Sequence, residues 1–140
     1  MSLNTSAETA PEALHKLDRK ELSGPAWRTF LRIAKLWNLS VDQQMTLLGL
    51  TSRSTYFKWK KGEDITLPKD TLERISYMLG IYKALQILLP DERAAGAWIH
   101  KPNTALPFAG QSALDRMLSG KVSDLYIVRQ YLDAQRGGWA

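Results

Sequence analysis

Large apolar residues in this chain recur at intervals of three and four, and no five-residue stretch alternates convincingly at period two. That spacing excludes half-buried strands and predicts an all-α fold. The punctuation between the periodic stretches divides it. Ser23-Gly24-Pro25 is a helix-start signal. Trp27, Phe30, Leu31, Ala34 and Trp37 then line one face of a helix ending near Asn38. Ser40-Val41-Asp42-Gln43 fits a capping box, in which hydroxyl and carboxamide each satisfy the other residue's backbone. Val41, Met45, Leu47 and Leu48 face inward along that helix, and Gly49 suits its left-handed end. A third helix spans about Ser52 to Lys61 and stops at Gly62.

The longest helix is predicted from Pro68 to about Leu89, with Leu72, Ile75, Leu79, Tyr82, Leu85 and Leu89 as its stripe, widened by Met78, Ile81 and Leu88. Gly80 within it marks a close helix contact or a bend. Pro90 ends it, and Asp91-Glu92 suit the first turn of the next, which runs to about His100 with Ala94, Ala95, Trp98 and Ile99 inward. Lys101–Gly110 reads as a loop, Ser112–Ser119 as a short helix broken by Gly120, and Val122–Gln135 as a last helix on Leu125, Val128 and Leu132. No internal repeat is visible. Residues 1–24 are rich in small polar side chains and read as a flexible arm, with at most a short helix over Glu12–Glu21. The expected organisation is this arm, a unit over 25–67 and a second helical unit over 68–140, packed together.

The chemistry concentrates in Leu39–Gly62, where two short helices flank a tight turn at Gly49 and the second carries Tyr56 and Trp59 as buried anchors. This is a helix-turn-helix pattern. A helix entering a major groove needs Arg and small hydroxyls near its N-terminus for base edges and Lys further on for phosphates. Ser52, Arg53 and Ser54 are the base-reading candidates, with Gln43 and Gln44 on the preceding helix. Lys58, Lys60, Lys61 and Arg28 are the phosphate candidates. Gly49-Leu50-Thr51-Ser52-Arg53 is one residue longer than the usual turn, so the base-reading register among Ser52, Arg53 and Ser54 stays open. The net charge of +5 belongs to this part of the chain: Pro25–Gly62 nets +6 with Asp42 as its one acid, and everything else nets −1.

The helix-turn-helix resembles the Xre (cI/Cro-like) group. The region from the long helix onward resembles the toxin-binding domain of Xre/MbcA/ParS antitoxins, on Trp98, Lys101-Pro102-Asn103, Phe108, Gly110, Leu114, Met117, Gly120, Tyr131-Leu132-Asp133 and Gly137-Gly138-Trp139-Ala140. The resemblance implies an antitoxin paired with a RES-domain toxin that consumes or modifies NAD. It further implies that the C-terminal region covers the toxin's active-site entrance and that the helix-turn-helix represses the shared promoter. On this reading Trp98, Lys101, Asn103, Arg129, Asp133, Arg136, Gly137, Gly138 and Trp139 meet the toxin. Trp and Arg are typical interface anchors, and the charge of Arg136 suits the anion-binding part of a nucleotide pocket. A C₂ homodimer is expected because two-fold operators match two-fold proteins, with the 68–89 helix as its interface. The runner-up is a stand-alone regulator whose C-terminal half senses a ligand or a protein.

Other chemistries fit poorly. The chain has no cysteine, which excludes disulfides, thiolate zinc sites and thiol catalysis. His15 and His100 stand apart from any ligand-spaced acid, so no metal is expected, and His100 reads as a helix-end partner. Asp91 and Glu92 are adjacent and do not face each other. Asp115, Asp124 and Asp133 read as solvated, and Trp37, Trp98, Tyr77 and Tyr82 as core. No glycine-rich phosphate loop precedes a helix. No enzymatic activity and no cofactor are expected. No apolar run approaches the roughly 18 residues of a membrane span, and Met1–Lys20 lacks the pattern of a signal peptide. The expected setting is the cytoplasm, with no membrane partner.

Overall fold

A computed structural model describes residues 2–62 and 65–137, with side chains from Asp18 onward. The elements are α1 (Ser2–Leu36), α2 (Val41–Leu48), α3 (Arg53–Lys60), α4 (Lys69–Leu88), α5 (Glu92–Trp98), α6 (Ala113–Met117) and α7 (Val122–Gln135). Among the described residues there is no strand. A lone antiparallel bridge joins Pro102 and Ser112.

The local signals act as the physics requires. Ser40 and Gln43 form the capping box, with Gln43 N–H donating to Ser40 Oγ at 3.1 Å and Ser40 N–H to Gln43 Oε1 at 2.9 Å. Ser52 and Asp91 cap α3 and α5, and Ser112 forms a second box with Asp115. His100 partners a helix end: its Nε2 lies 2.7 Å from the Trp37 carbonyl, just past the C-terminus of α1.

Helix α4 holds the fold together. It packs against α1, α7, α5 and α2, and α6 packs on α7. The core is continuous from Trp27, Phe30, Ile33 and Trp37 of α1, through Ile75, Met78, Ile81 and Leu85 of α4, to Leu125, Val128 and Leu132 of α7. The buried row of α4 is therefore Thr71, Ile75, Met78, Ile81, Ala84 and Leu85. Leu72, Leu79, Tyr82 and Leu89 of the expected stripe are only half-buried. The row that two neighbours cover, rather than the most apolar row, lies at the centre.

The expected N-terminal arm is helical. α1 passes through Ser23-Gly24-Pro25 without a break. Ser23 is no cap: it is fully buried, donates its hydroxyl to the Arg19 carbonyl, and accepts the Leu67 N–H at 2.8 Å. A proline costs a helix one backbone hydrogen bond. Here the side chains on both sides of Pro25, Ser23 and Trp27, are tied into the core.

Close approaches fix the helices relative to one another. Gly80 is a close contact: a Cβ there would fall 2.5 Å from Nε of Arg129, whose guanidinium lies over α4. A Cβ on Gly96 of α5 would fall 2.9 Å from the Leu36 carbonyl oxygen of α1. Asp124 is not solvated as expected. It accepts from Ser119 Oγ at 2.5 Å and from Arg116 Nε at 3.0 Å, and Arg116 also donates to the Pro107 carbonyl. One carboxylate thus joins α6, α7 and the preceding loop. The Ser119 hydrogen bond, and then the hydrogen bond and charge of Arg116, hold Asp124 below the usual carboxylate range against the opposing effect of burial.

Two stability predictions follow from these contacts. Helix propensity alone would make Gly96→Ala stabilising by about 1 kcal/mol. Because the new methyl meets rigid backbone, Gly96→Ala is expected to lower stability by about 1–3 kcal/mol in urea denaturation. A stabilised variant would show that α5 and α1 are not in this contact. For Asp124, the folded carboxyl titrates below its unfolded value. Its stabilisation is therefore present above the unfolded value near pH 4 and is lost as pH falls through the lower folded value. Asp124→Asn is expected to be less stable at neutral pH and to lose less stability than the parent chain on acidification. Parallel acid limbs would reject this role.

Candidate functional site

Residues 39–62 form a helix-turn-helix held from beneath by α1 and α4. Gly49 adopts φ 73°, a left-handed conformation that favours glycine. The space that a Cβ there would take is occupied by Arg74 and Asp70 of α4, which pair at 2.9 Å. The Thr71 hydroxyl donates to the Leu48 carbonyl at 3.2 Å and ties the turn to α4. On α3, Tyr56 and Trp59 are buried and meet Trp27 edge-on, with ring centroids 5.8 and 5.7 Å away. The Tyr56 hydroxyl donates to Gln44 Oε1 at 2.6 Å, and Gln44 Nε2 donates to the Leu39 carbonyl at 3.1 Å. A buried hydroxyl and a buried carboxamide thus satisfy each other.

This arrangement sorts the expected DNA-facing residues. Ser52, Arg53, Ser54, Lys58, Lys60 and Lys61 are all exposed on or beside α3, and Arg28 is exposed on α1. Arg28 and Lys60, together with Lys20, line one open groove of about 400 Å³ over Trp27, so the α1 cation does border the recognition helix. Lys60 also lies over the Tyr56 ring, 5.8 Å from its centroid. Gln44 does not belong to the set, because its side chain is buried and both its ends are engaged inside the protein. Gln43 spends its carbonyl oxygen on the capping box. Two residues were missed. Asp42 Oδ1 accepts from Arg53 Nη1 at 2.7 Å, and Phe57 lies under the same guanidinium, 5.8 Å from its ring centroid. Asp42 was visible in the sequence as the single acid in a basic segment; its distance of one helix from Arg53 was not.

The C-terminal candidates separate into a braced loop and the end of α7. Trp98 stacks on Tyr131 at 6.3 Å and meets Phe108 edge-on at 5.9 Å, so the aromatic cluster joins α5, the loop and α7. Lys101 is exposed. Asn103 works inside its own loop: Oδ1 accepts the Ala105 N–H at 2.8 Å, its N–H donates to Gln111 and its carbonyl accepts from Gly110. That loop presents Leu106, 96% exposed, above buried Phe108. No sequence signal separated Leu106 from other loop residues. On α7, Asp133 lies 3.6 Å from Arg129 and 3.9 Å from Arg136, forming one chain of charge on a partly exposed surface. Gly137 is exposed. Gly138 and Trp139 lie outside the described residues.

Among the described residues no group of His, Asp and Glu is placed to hold a metal ion. No helix there is long and apolar enough to cross a membrane.

Residues 16–80 match the Antitoxin Xre-like helix-turn-helix domain. Residues 84–138 match the Antitoxin Xre/MbcA/ParS C-terminal toxin-binding domain. The first match begins within α1 in the segment expected to be an arm and ends within α4. The chain is also similar to a Sinorhizobium fredii protein named Uncharacterized protein y4oB, at 59% identity over 109 residues, 78% of this chain and 82% of that protein. With a helix-turn-helix built on α2 and α3 and a toxin-binding domain on the helices that follow, the chain belongs to the Xre/MbcA/ParS antitoxins, a non-enzymatic family.

Proposed function

We propose that this antitoxin neutralises a cognate RES-domain toxin that consumes NAD or uses it for ADP-ribosylation, by covering the toxin's active-site entrance with its C-terminal region. It also represses its own operon through the helix-turn-helix, acting in the cytoplasm as a C₂ homodimer. The observation that carries this reading is the segregation of two surfaces on one core. The exposed face of α3 is cationic and polar. The other end carries the Arg129–Asp133–Arg136 chain leading into a tail with a tryptophan.

In the DNA-bound state Arg53 and the hydroxyls of Ser52 and Ser54 reach base edges, whichever of them sets the register. Lys58, Lys60, Lys61 and Arg28 meet phosphates. In the toxin complex Trp98, Lys101, Arg129, Asp133, Arg136, Gly137, Gly138 and Trp139 contact the toxin, with Asn103 shaping its loop. Arg136 is suited to the anion-binding part of a nucleotide pocket. A second copy is supported by the groove between α1 and α4, where Leu22, 59% exposed, and Pro25 border half-buried Leu72 and Leu79. On this reading the DNA-binding unit spans 25–67 and the toxin-binding and dimerisation unit 68–140.

The direct test is co-purification with the product of the neighbouring gene, followed by an assay of NAD depletion. The expected result is a complex that protects NAD. An associated protein without effect on NAD would reject the RES assignment. Arg53→Ala is expected to cost about 1–3 kcal/mol on the operator and much less on random duplex; equal losses would remove the base-reading role. Deleting 136–140 is expected to leave the circular dichroism spectrum and melting curve unchanged while weakening protection of NAD in cells. Full protection by the truncated chain would reject a role for the tail.

A further inference from the structure

The recognition helix carries a cation with partners on both helices of the motif. Arg53 is the first residue of α3, next to the Ser52 cap. Its Nη1 donates to Asp42 at 2.7 Å, and its guanidinium carbon lies 5.8 Å from the Phe57 ring centroid. Asp42 belongs to the first turn of α2 and Phe57 to the second turn of α3, so the arginine is held by both helices of the motif. Phe57 is 42% exposed on the outer side of α3, and its ring meets that of Tyr56 edge-on at 5.1 Å. Asp42 suits the first turn of α2, where the helix dipole favours an acid. It is the only acid in a segment that nets +6, and it lies on the surface that would approach polyanionic DNA.

A carboxylate there lowers the attraction to any phosphate backbone. A compensating effect on sequence reading would offset that loss. The geometry supplies one. An arginine side chain loses substantial rotamer freedom when it docks a fixed pair of acceptors. Asp42 engages one N–H and the Phe57 face limits rotation of the plane. The remaining N–H groups keep the paired arrangement that matches O6 and N7 of guanine.

We propose that Asp42 is a specificity-determining positioning residue: with Phe57 beneath, it orients Arg53 to read guanine and gives up non-specific affinity to do so. The proposal rests on the DNA-binding reading above. Selection from a randomised duplex library with the full-length chain supplies the probe. Affinities are then measured for the selected duplex, for versions in which each guanine in turn is replaced, and for random duplex. The guanine assigned to Arg53 is the one whose replacement no longer matters in Arg53→Ala.

In the parent chain, replacing that guanine is expected to cost about 5- to 150-fold in affinity. In Asp42→Asn the cost is expected to fall by about two- to fivefold, the range open to a solvent-exposed ion pair, while binding to random duplex tightens. In an Arg53→Ala background Asp42→Asn is expected to leave discrimination unchanged, the coupling that marks one unit. Discrimination that is undiminished in Asp42→Asn overturns the proposal. Discrimination that sharpens overturns it too, since Asp42 would then be sequestering Arg53. An effect of Asp42→Asn on discrimination between duplexes that persists in Arg53→Ala means that Asp42 reads a base itself, and likewise overturns it. A parent chain that enriches no duplex defeats the DNA-binding reading and this proposal together, whereas enrichment without an Arg53-dependent guanine defeats the proposal alone. Circular dichroism of each variant separates these outcomes from loss of fold.

Discussion

Helix α4 is buried along Thr71, Ile75, Met78, Ile81 and Leu85 because it packs against both α1 and α7. The core that results has no seam between the helix-turn-helix and the helices after it. A single α4 methyl such as that of Ile81 thus belongs to the stability of both. A helix-turn-helix of two short helices cannot bury enough apolar surface to be stable alone. Here α1 and α4 provide the remainder, and α4 does the same for α7.

The same dependence reaches the turn. α2 and α3 are each eight residues long, and neither would persist in water. Their relative position is set by contacts that come from elsewhere. The Asp70–Arg74 pair of α4 fills the space beside Gly49, Thr71 holds the Leu48 carbonyl, and Trp27 of α1 packs against Tyr56 and Trp59. The inner side of α3 is thereby fully committed. Its outer side, from Arg53 to Lys61, is left with little apart from cations, hydroxyls and Phe57. Packing chooses which face of this amphipathic helix remains available, and the charge pattern determines what that face can attract.

Much of this architecture was legible because its causes are local. The Ser40–Gln43 box, the left-handed Gly49, the anchors Tyr56 and Trp59 and the inward row of α7 all follow from residues within a turn or two of one another. The misreadings have non-local causes. Ser23 before Gly24-Pro25 has the form of a helix start, but its hydroxyl is taken by Leu67, which no local pattern reveals. Gln44 looked available to DNA because its partner, Tyr56, lies on the next helix. Asp124 looked solvated because the residues that hold it, Ser119 and Arg116, are on the other side of Gly120. In each case a polar side chain of ambiguous exposure is held by a hydrogen-bond partner outside its own helix. Apolar residues were rarely misplaced; the stripe of α4 was, since on a helix covered by two neighbours hydrophobicity no longer identifies the most enclosed row.

At the other end, the two arginines that share Asp133 are not equivalent. Both pairs are solvent-exposed and longer than a direct hydrogen bond, so each contributes at most about 1 kcal/mol, and less at physiological salt. Asp133 therefore holds neither cation firmly, and an incoming carboxylate or phosphate that forks onto a guanidinium would displace it at small cost. What differs is the freedom left afterwards. Arg129 lies over Gly80, and its guanidinium occupies the space a side chain would take on α4, so its reach is set by the α4–α7 contact. Arg136 is the C-cap residue of α7, and among the described residues a Cβ added to the following Gly137 would meet nothing within 4 Å. On the function proposed above, Arg129 would meet an anion at a place fixed by the α4–α7 contact, and Arg136 would meet one at the end of the helix. Of the two cations that share Asp133, one is thus positioned by helix packing and the other by the helix terminus.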